Sequence, residues 1–123
     1  MPSILVIDDD PAVRRTIERV LRRGGYDVHL AENGIEGLHA FRRHKPDLVI
    51  TDLLMPVKEG LDTIRLLRAW SPDLKIVAIS GGGRPGGADP QAQAVDVGAA
   101  AFVAKPFEPS HLLDEIARCL EPA

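Results

Sequence analysis

The chain has a single cysteine, no excess of basic residues, and no apolar run near the ~20 residues a membrane span needs. The lone Cys119 excludes an internal disulfide and fits a reducing cytoplasm. A formal net charge of -3 leaves no basic footprint for nucleic acid. Met1-Pro2-Ser3-Ile4 leads directly into an apolar run, without a basic leader or cleavage signal, so neither membrane nor export is expected. Internal repeats and linkers are missing too, and the 123 residues are read as one domain spanning 1–123. What remains is an ordinary soluble composition, 45% hydrophobic and 27% charged.

The pattern alternates strand and helix five times. Strands are expected at Ile4 to Ile7, Tyr26 to Ala31, Leu48 to Thr51, Leu74 to Ile79 and Ala100 to Ala104. Helical spacing joins Val13, Ile17, Val20 and Leu21; then Ile35, Leu38 and Phe41; then Leu61, Ile64 and Leu67. A short helix is expected over Gln91 to Val97, and a last one with Leu112, Leu113, Ile116 and Leu120 inward. Asp10 before Pro11, and Glu108 before Pro109, read as helix caps. Alternation of this kind implies an α/β fold, a parallel sheet with helices on both faces and right-handed crossovers. Trp70 is expected to be partial core and Cys119 a buried small hydrophobe. His29, His39, His44 and His111 lack metal-ligand spacing and read as surface. The arginines of the first helix, including Arg14, read as a solvated face, with a docking patch for acidic helices as the second reading.

In a parallel sheet all strand tips share one edge, where open α/β sheets place their ligands. Asp8 and Asp9, Asp52, Ser80 and Lys105 should therefore converge. Ionised carboxylates at close range repel one another, and a hard divalent cation relieves that. A phosphoryl group arriving at Asp52 would meet Mg²⁺ on one side and Lys105 on the other, with the Ser80 hydroxyl free to donate to a further oxygen. That is a clamp for phosphoryl transfer onto a carboxylate.

Several motifs stand together at matching spacing: Ile4 through Asp10, Asp52 with Met55-Pro56 and Gly60, Ser80-Gly81, Gly98-Ala99, and Phe102 through Lys105-Pro106-Phe107. In these the chain resembles the receiver domain of two-component response regulators over essentially its whole length. The resemblance implies a flavodoxin-like, doubly wound five-stranded sheet in the order 2-1-3-4-5 with five helices. It implies that Asp52 accepts a phosphoryl group from a sensor histidine kinase or phosphotransfer protein. Asp9 would bind Mg²⁺ directly and Asp8 through water, with Asp52 and the Leu54 backbone carbonyl completing the protein ligands. Lys105 would contact the phosphoryl oxygens, Ser80 and Phe102 would form a switch pair, and the Lys105-Pro106 bond would be cis. The downstream partner would be an effector protein or an output domain beyond this stretch. Such a domain catalyses only its own phosphorylation and slow dephosphorylation.

The chain departs from the pattern in Gly81 to Gly87, where five glycines and a proline occur in seven residues. That run implies a loop that orders on phosphorylation and a shortened fourth helix. Leu54 and Gly82 offer no polar side chain to position an attacking water, so dephosphorylation is expected to go unassisted by them. Two other functions compete. Asp8-x-Asp10 after a strand resembles the nucleophile motif of haloacid-dehalogenase-like phosphatases, but Asp52 would then be idle. A receiver-like scaffold that is never phosphorylated would have no need of the acidic and lysine positions it keeps.

Overall fold

The computed structural model describes residues 2–53, 60–81, 90–96 and 98–121. Five strands run as β1 (Ser3–Ile7), β2 (Asp27–Ala31), β3 (Leu48–Asp52), β4 (Lys75–Ser80) and β5 (Ala101–Ala104). Between and after them lie α1 (Pro11–Arg23), α2 (Gly34–His44), α3 (Gly60–Trp70), α4 (Pro90–Asp96) and α5 (Pro109–Leu120). The strands form one sheet in the order β2-β1-β3-β4-β5. Every neighbouring pair is parallel. The flavodoxin-like architecture expected from the sequence is therefore the one observed.

β3 is buried along its whole length. It lies between β1 and β4, with Ile4 beside Leu48 and Leu48 beside Lys75. Alternate residues face opposite sides of a strand, so the sheet carries two apolar layers. One gathers Ile4, Val6, Ile50 and Val77 with Ile17 and Leu21 of α1 and Leu112 and Ile116 of α5. The other gathers Leu5, Ile7, Val49 and Ala78 with Ile64 and Leu67 of α3 and Ala94 of α4.

Local chemistry fixes the helix ends. The Asp10 carboxylate accepts hydrogen bonds from the amides of Ala12 and Val13, two donors no helix turn satisfies. Asn33 accepts from the Glu36 amide in the same way, and Lys45 closes α2 in the left-handed conformation. Gly25, at φ 91, ends the turn after α1. No described helix is long and apolar enough to cross a membrane.

Several expectations need correction. Glu108 stands at the N-cap of α5, but its side chain makes no capping bond there. Tyr26 precedes β2, because its amide donates to Leu21 and closes the α1 turn. β3 and β4 each run one residue further than expected, through Asp52 and Ser80. Trp70 is not core: at the end of α3 it remains 44% exposed. Leu113, Leu120 and Cys119 are only partly buried. The expectations placed on Leu54, on Met55-Pro56 and on the loop from Gly82 to Gly87 lie outside the described residues.

Candidate functional site

β1 ends at Ile7, and the chain turns at once over Asp8 and Asp9 into the α1 cap. The Asp8 amide donates to the Ala31 carbonyl of β2 at 3.1 Å, extending the ladder past the strand. Asp8 Oδ1 then accepts the Asp10 amide at 2.9 Å. This turn leaves Asp8 with no exposed surface and Asp9 open to solvent. On the next strand Asp52 is the last residue of β3 and is 6% exposed. Asp8, Asp9 and Asp52 each offer a carboxylate oxygen within 4.8 Å of the others.

Lys105 follows β5 directly, and its amide donates to the Ser80 carbonyl at 2.9 Å. That bond ties the tip of β5 to the tip of β4. The Lys105 Nζ donates to Asp52 Oδ2 at 2.9 Å and to Asp8 Oδ2 at 3.1 Å. The five residues singled out from the sequence thus share one rim. The Lys105-Pro106 bond is cis, as expected.

The charges are linked. Burial pushes the Asp8 carboxyl above its ordinary range, and Asp52 adds to the rise, against the pull of the Asp10 amide and Lys105. Burial works to lower the Lys105 ammonium as well, but the hydrogen bonds and charges of Asp52 and Asp8 prevail and raise it. Asp8 and Asp52 therefore share one ammonium while Asp9 joins the same cluster, an excess of acid that a hard cation with oxygen ligands relieves. The donor set is all carboxylate, which suits Mg²⁺ rather than a softer metal.

Ser80 is 1% exposed, and its hydroxyl has no hydrogen-bond partner among the described residues. A buried hydroxyl left unpaired costs about 1–3 kcal/mol. In the β4–β5 register Phe102 lies beside Ala78, two residues before Ser80, so Ser80 and Phe102 share a face of the sheet. The Phe102 ring is half-buried against the layer that includes Ala78 and Ala94.

One residue at the site was assigned elsewhere by the sequence. Arg14 does not belong to a solvated face: its Nη1 donates to the Asp8 carbonyl at 2.7 Å. Helical side chains lean toward the helix N-terminus, so an arginine one turn into α1 reaches back to the preceding strand tip. That lean is the signal from which the contact is readable. The phosphatase reading of Asp8 is not favoured. Asp8 is fully enclosed, with one oxygen held by the Asp10 amide and the other by Lys105.

The family profile described as "Response regulator receiver domain" matches residues 4–117. Response regulator MprA of Mycobacterium sp. (strain KMS) is 37% identical over 110 residues, covering 89% of this chain and 46% of that relative. The chain thus spans about half the length of the curated relatives it matches. A response regulator receiver domain protein of Clostridium thermocellum superposes with a TM-score of 0.89 at 29% identity, covering 98% of this chain and 94% of that one. Chemotaxis protein CheY4 of Vibrio cholerae gives a TM-score of 0.88 at 29% identity, covering 98% and 99% of the two chains.

Proposed function

The chain belongs to the response regulator receiver family of two-component signalling, and from that premise we propose that Asp52 is its phosphoacceptor. The observation that carries the reading is the bridge from Lys105 Nζ to Asp52 at 2.9 Å and Asp8 at 3.1 Å. It brings an ammonium from the end of β5 onto the carboxylate that is to be loaded.

In the proposed reaction an Asp52 carboxylate oxygen attacks phosphorus. The new O–P bond forms as the donor's bond to phosphorus breaks, and the leaving group departs with the electron pair. A histidine kinase or phosphotransfer protein carrying phosphohistidine is the donor class. Lys105 follows the charge from Asp52 to the incoming phosphoryl oxygens and stabilises it as it develops. Asp9, Asp8 and Asp52 are the side chains that would hold Mg²⁺; the proposed Leu54 carbonyl ligand lies outside the described residues. When bound, that ion neutralises phosphoryl oxygens and aligns them for in-line transfer.

The Ser80 hydroxyl, unpartnered among the described residues, is read as the group that swings to the phosphoryl oxygen, with Phe102 turning inward behind it. An apolar hollow of about 410 Å³ beside Lys105, floored by Val13, Pro106 and Phe107, is read as the surface that receives the donor. Residues 1–123 are read as one receiver domain acting in the cytoplasm. Its catalysis is confined to its own phosphorylation and dephosphorylation, and its output lies in a partner or in a further domain.

The test is incubation with acetyl phosphate and Mg²⁺, followed by intact-mass and fragment analysis. The expected result is one phosphoryl group on Asp52, lost in Asp52→Ala. A phosphoryl group mapped to Asp8 would transfer the reading to the phosphatase class. No adduct on any aspartate would leave only a scaffold.

A further inference from the structure

We propose that the outer face of α2 and α3 is a docking surface for an acidic segment of a partner protein that carries an apolar anchor.

Single exposed hydrophobic residues are normal on any protein. This face differs in being continuous. Ile35 in the first turn of α2 is 47% exposed, and Trp70 at the end of α3 is 44% exposed. Leu38 and Phe41 of α2 are partly buried, and with Ile35 and Trp70 they line two hollows of about 250 and 370 Å³ that share Trp70 and Arg42. The Phe41 and Trp70 ring centroids are 6.4 Å apart. The Arg42 guanidinium sits 5.0 Å from the Trp70 ring centroid, within cation–π range. An aromatic already stacked on its neighbours costs less entropy to bury, and Trp and Arg are both enriched at interface hot spots.

The charge identifies the occupant. Among the described residues, every ionisable side chain lining the two hollows is of a basic type: His39, Arg42 and Lys45. Four other arginines are engaged, Arg22 with Glu18, Arg65 with Asp62, Arg118 with Glu115, and Arg68 with the carbonyls of Pro72, Leu74 and Gly98, whereas Arg15, Arg19, Arg23 and Arg43 pair with no described residue. Arg42 and Lys45 form no ion pair with any described residue. The negative end of the α2 dipole favours cations at this position. It gives no reason for a neighbouring helix to present an open tryptophan to the same cations. Carboxylates on the partner supply the missing charge, and a leucine or phenylalanine side chain fits the apolar floor.

The surface also lies away from the switch. α2 packs on β2 and β1 and α3 on the central β3, whereas Ser80 and Phe102 belong to β4 and β5. Docking is therefore expected to be the same in both phosphorylation states, so that it anchors a partner rather than reporting a signal.

Trp70 is the chain's one tryptophan and serves as the reporter. The probe is a synthetic amphipathic peptide with glutamates on one face and leucines plus one phenylalanine on the other. A lysine-for-glutamate version and a single-stranded oligothymidylate are run beside it. The glutamate peptide is expected to shift Trp70 emission to the blue in a saturable, salt-sensitive way. Arg42→Glu should weaken it about tenfold or more, and Trp70→Ala should abolish it by calorimetry. Both variants are checked for thermal unfolding and for acetyl-phosphate labelling of Asp52, which should match the parent. His39→Glu, more peripheral, provides a second charge test and should weaken binding less than Arg42→Glu. Four outcomes would overturn the proposal. They are no saturable shift at millimolar peptide, binding indifferent to Arg42→Glu, equal binding of the lysine peptide, or tighter binding of the oligonucleotide.

Discussion

The ammonium of Lys105 lies 2.9 Å from Asp52, although 53 residues separate them in the chain. The same nitrogen reaches Asp8, so one cation balances acids from two strands. Lys105→Ala should lower stability in Mg²⁺-free buffer by about 1–3 kcal/mol. That is less than a fully buried pair loses, because Lys105 keeps some solvent contact. Added Mg²⁺ should restore more of the loss in the variant than it adds to the parent, since both cations answer the same charge. Urea melts with and without the ion measure this. Asp52 labelling should fall about a hundredfold.

Gly60 presses its α-carbon on the backbone that carries the acceptor. A β-carbon there would fall on the Asp52 carbonyl oxygen and 2.6 Å from the Leu53 α-carbon. Neither is a flexible group, so Gly60→Ala should fall at the upper end of the overpacking range, about 3 kcal/mol, and slow Asp52 labelling. Gly37→Ala is the contrast. The nearest atoms to its β-carbon belong to the buried Ile7 side chain rather than to backbone, so the cost should be smaller though not zero. Thermal melts of the two variants should separate clearly.

Ser80→Ala should be neutral or stabilising, by up to about 2 kcal/mol, because it removes a buried hydroxyl with no described partner. The same change should erase the conformational response to beryllofluoride. Hydrogen exchange over β4 and β5, read beside the melting temperature, tests both halves. A clear loss of stability would show that the hydroxyl already has work to do in the unphosphorylated state.

His29 stacks on His44, with ring centroids 3.8 Å apart and planes 7° from parallel. Burial lowers the His29 pKa below its ordinary 6.5; the His44 and Arg22 charges add to this, and Asp27 opposes it. The unfolded chain thus takes up a proton before the folded one does. Stability should fall as pH drops through 6.5 and go on falling until the lower folded value is passed. His29→Phe keeps an aromatic ring and removes the titration. The difference in urea midpoint between about pH 7.5 and about pH 5.5 should shrink in that variant.

All ten elements were readable in the sequence because apolar runs of strand length alternate with helical spacing, and few local signals conflict. The rim was readable for the same reason: parallel strands put their ends together, so residues far apart in sequence become neighbours by topology alone. What escaped depends on where side chains lie after packing. Trp70 looked like partial core from its helical position, yet it sits at the last residue of α3, beyond the layer that Leu67 and Ile64 join, and is 44% exposed. Arg14 looked like one of five equivalent arginines until its reach toward the Asp8 carbonyl distinguished it. Glu108 had the position of a cap, but its side chain makes no capping bond.

The turns that enter the strands sit on the rim opposite the acids. Gly24 and Gly25 lead toward β2, Lys45 and Pro46 to β3, and Ser71 to Leu74 to β4. None of these turns supplies a group to the acid cluster or to Lys105. The molecule therefore has a working end and a handle. Epitopes, dyes or surface tethers spliced at the handle, at Gly25 above all, where a side chain would meet open space though the left-handed backbone disfavours one, leave the chemistry at the other end untouched.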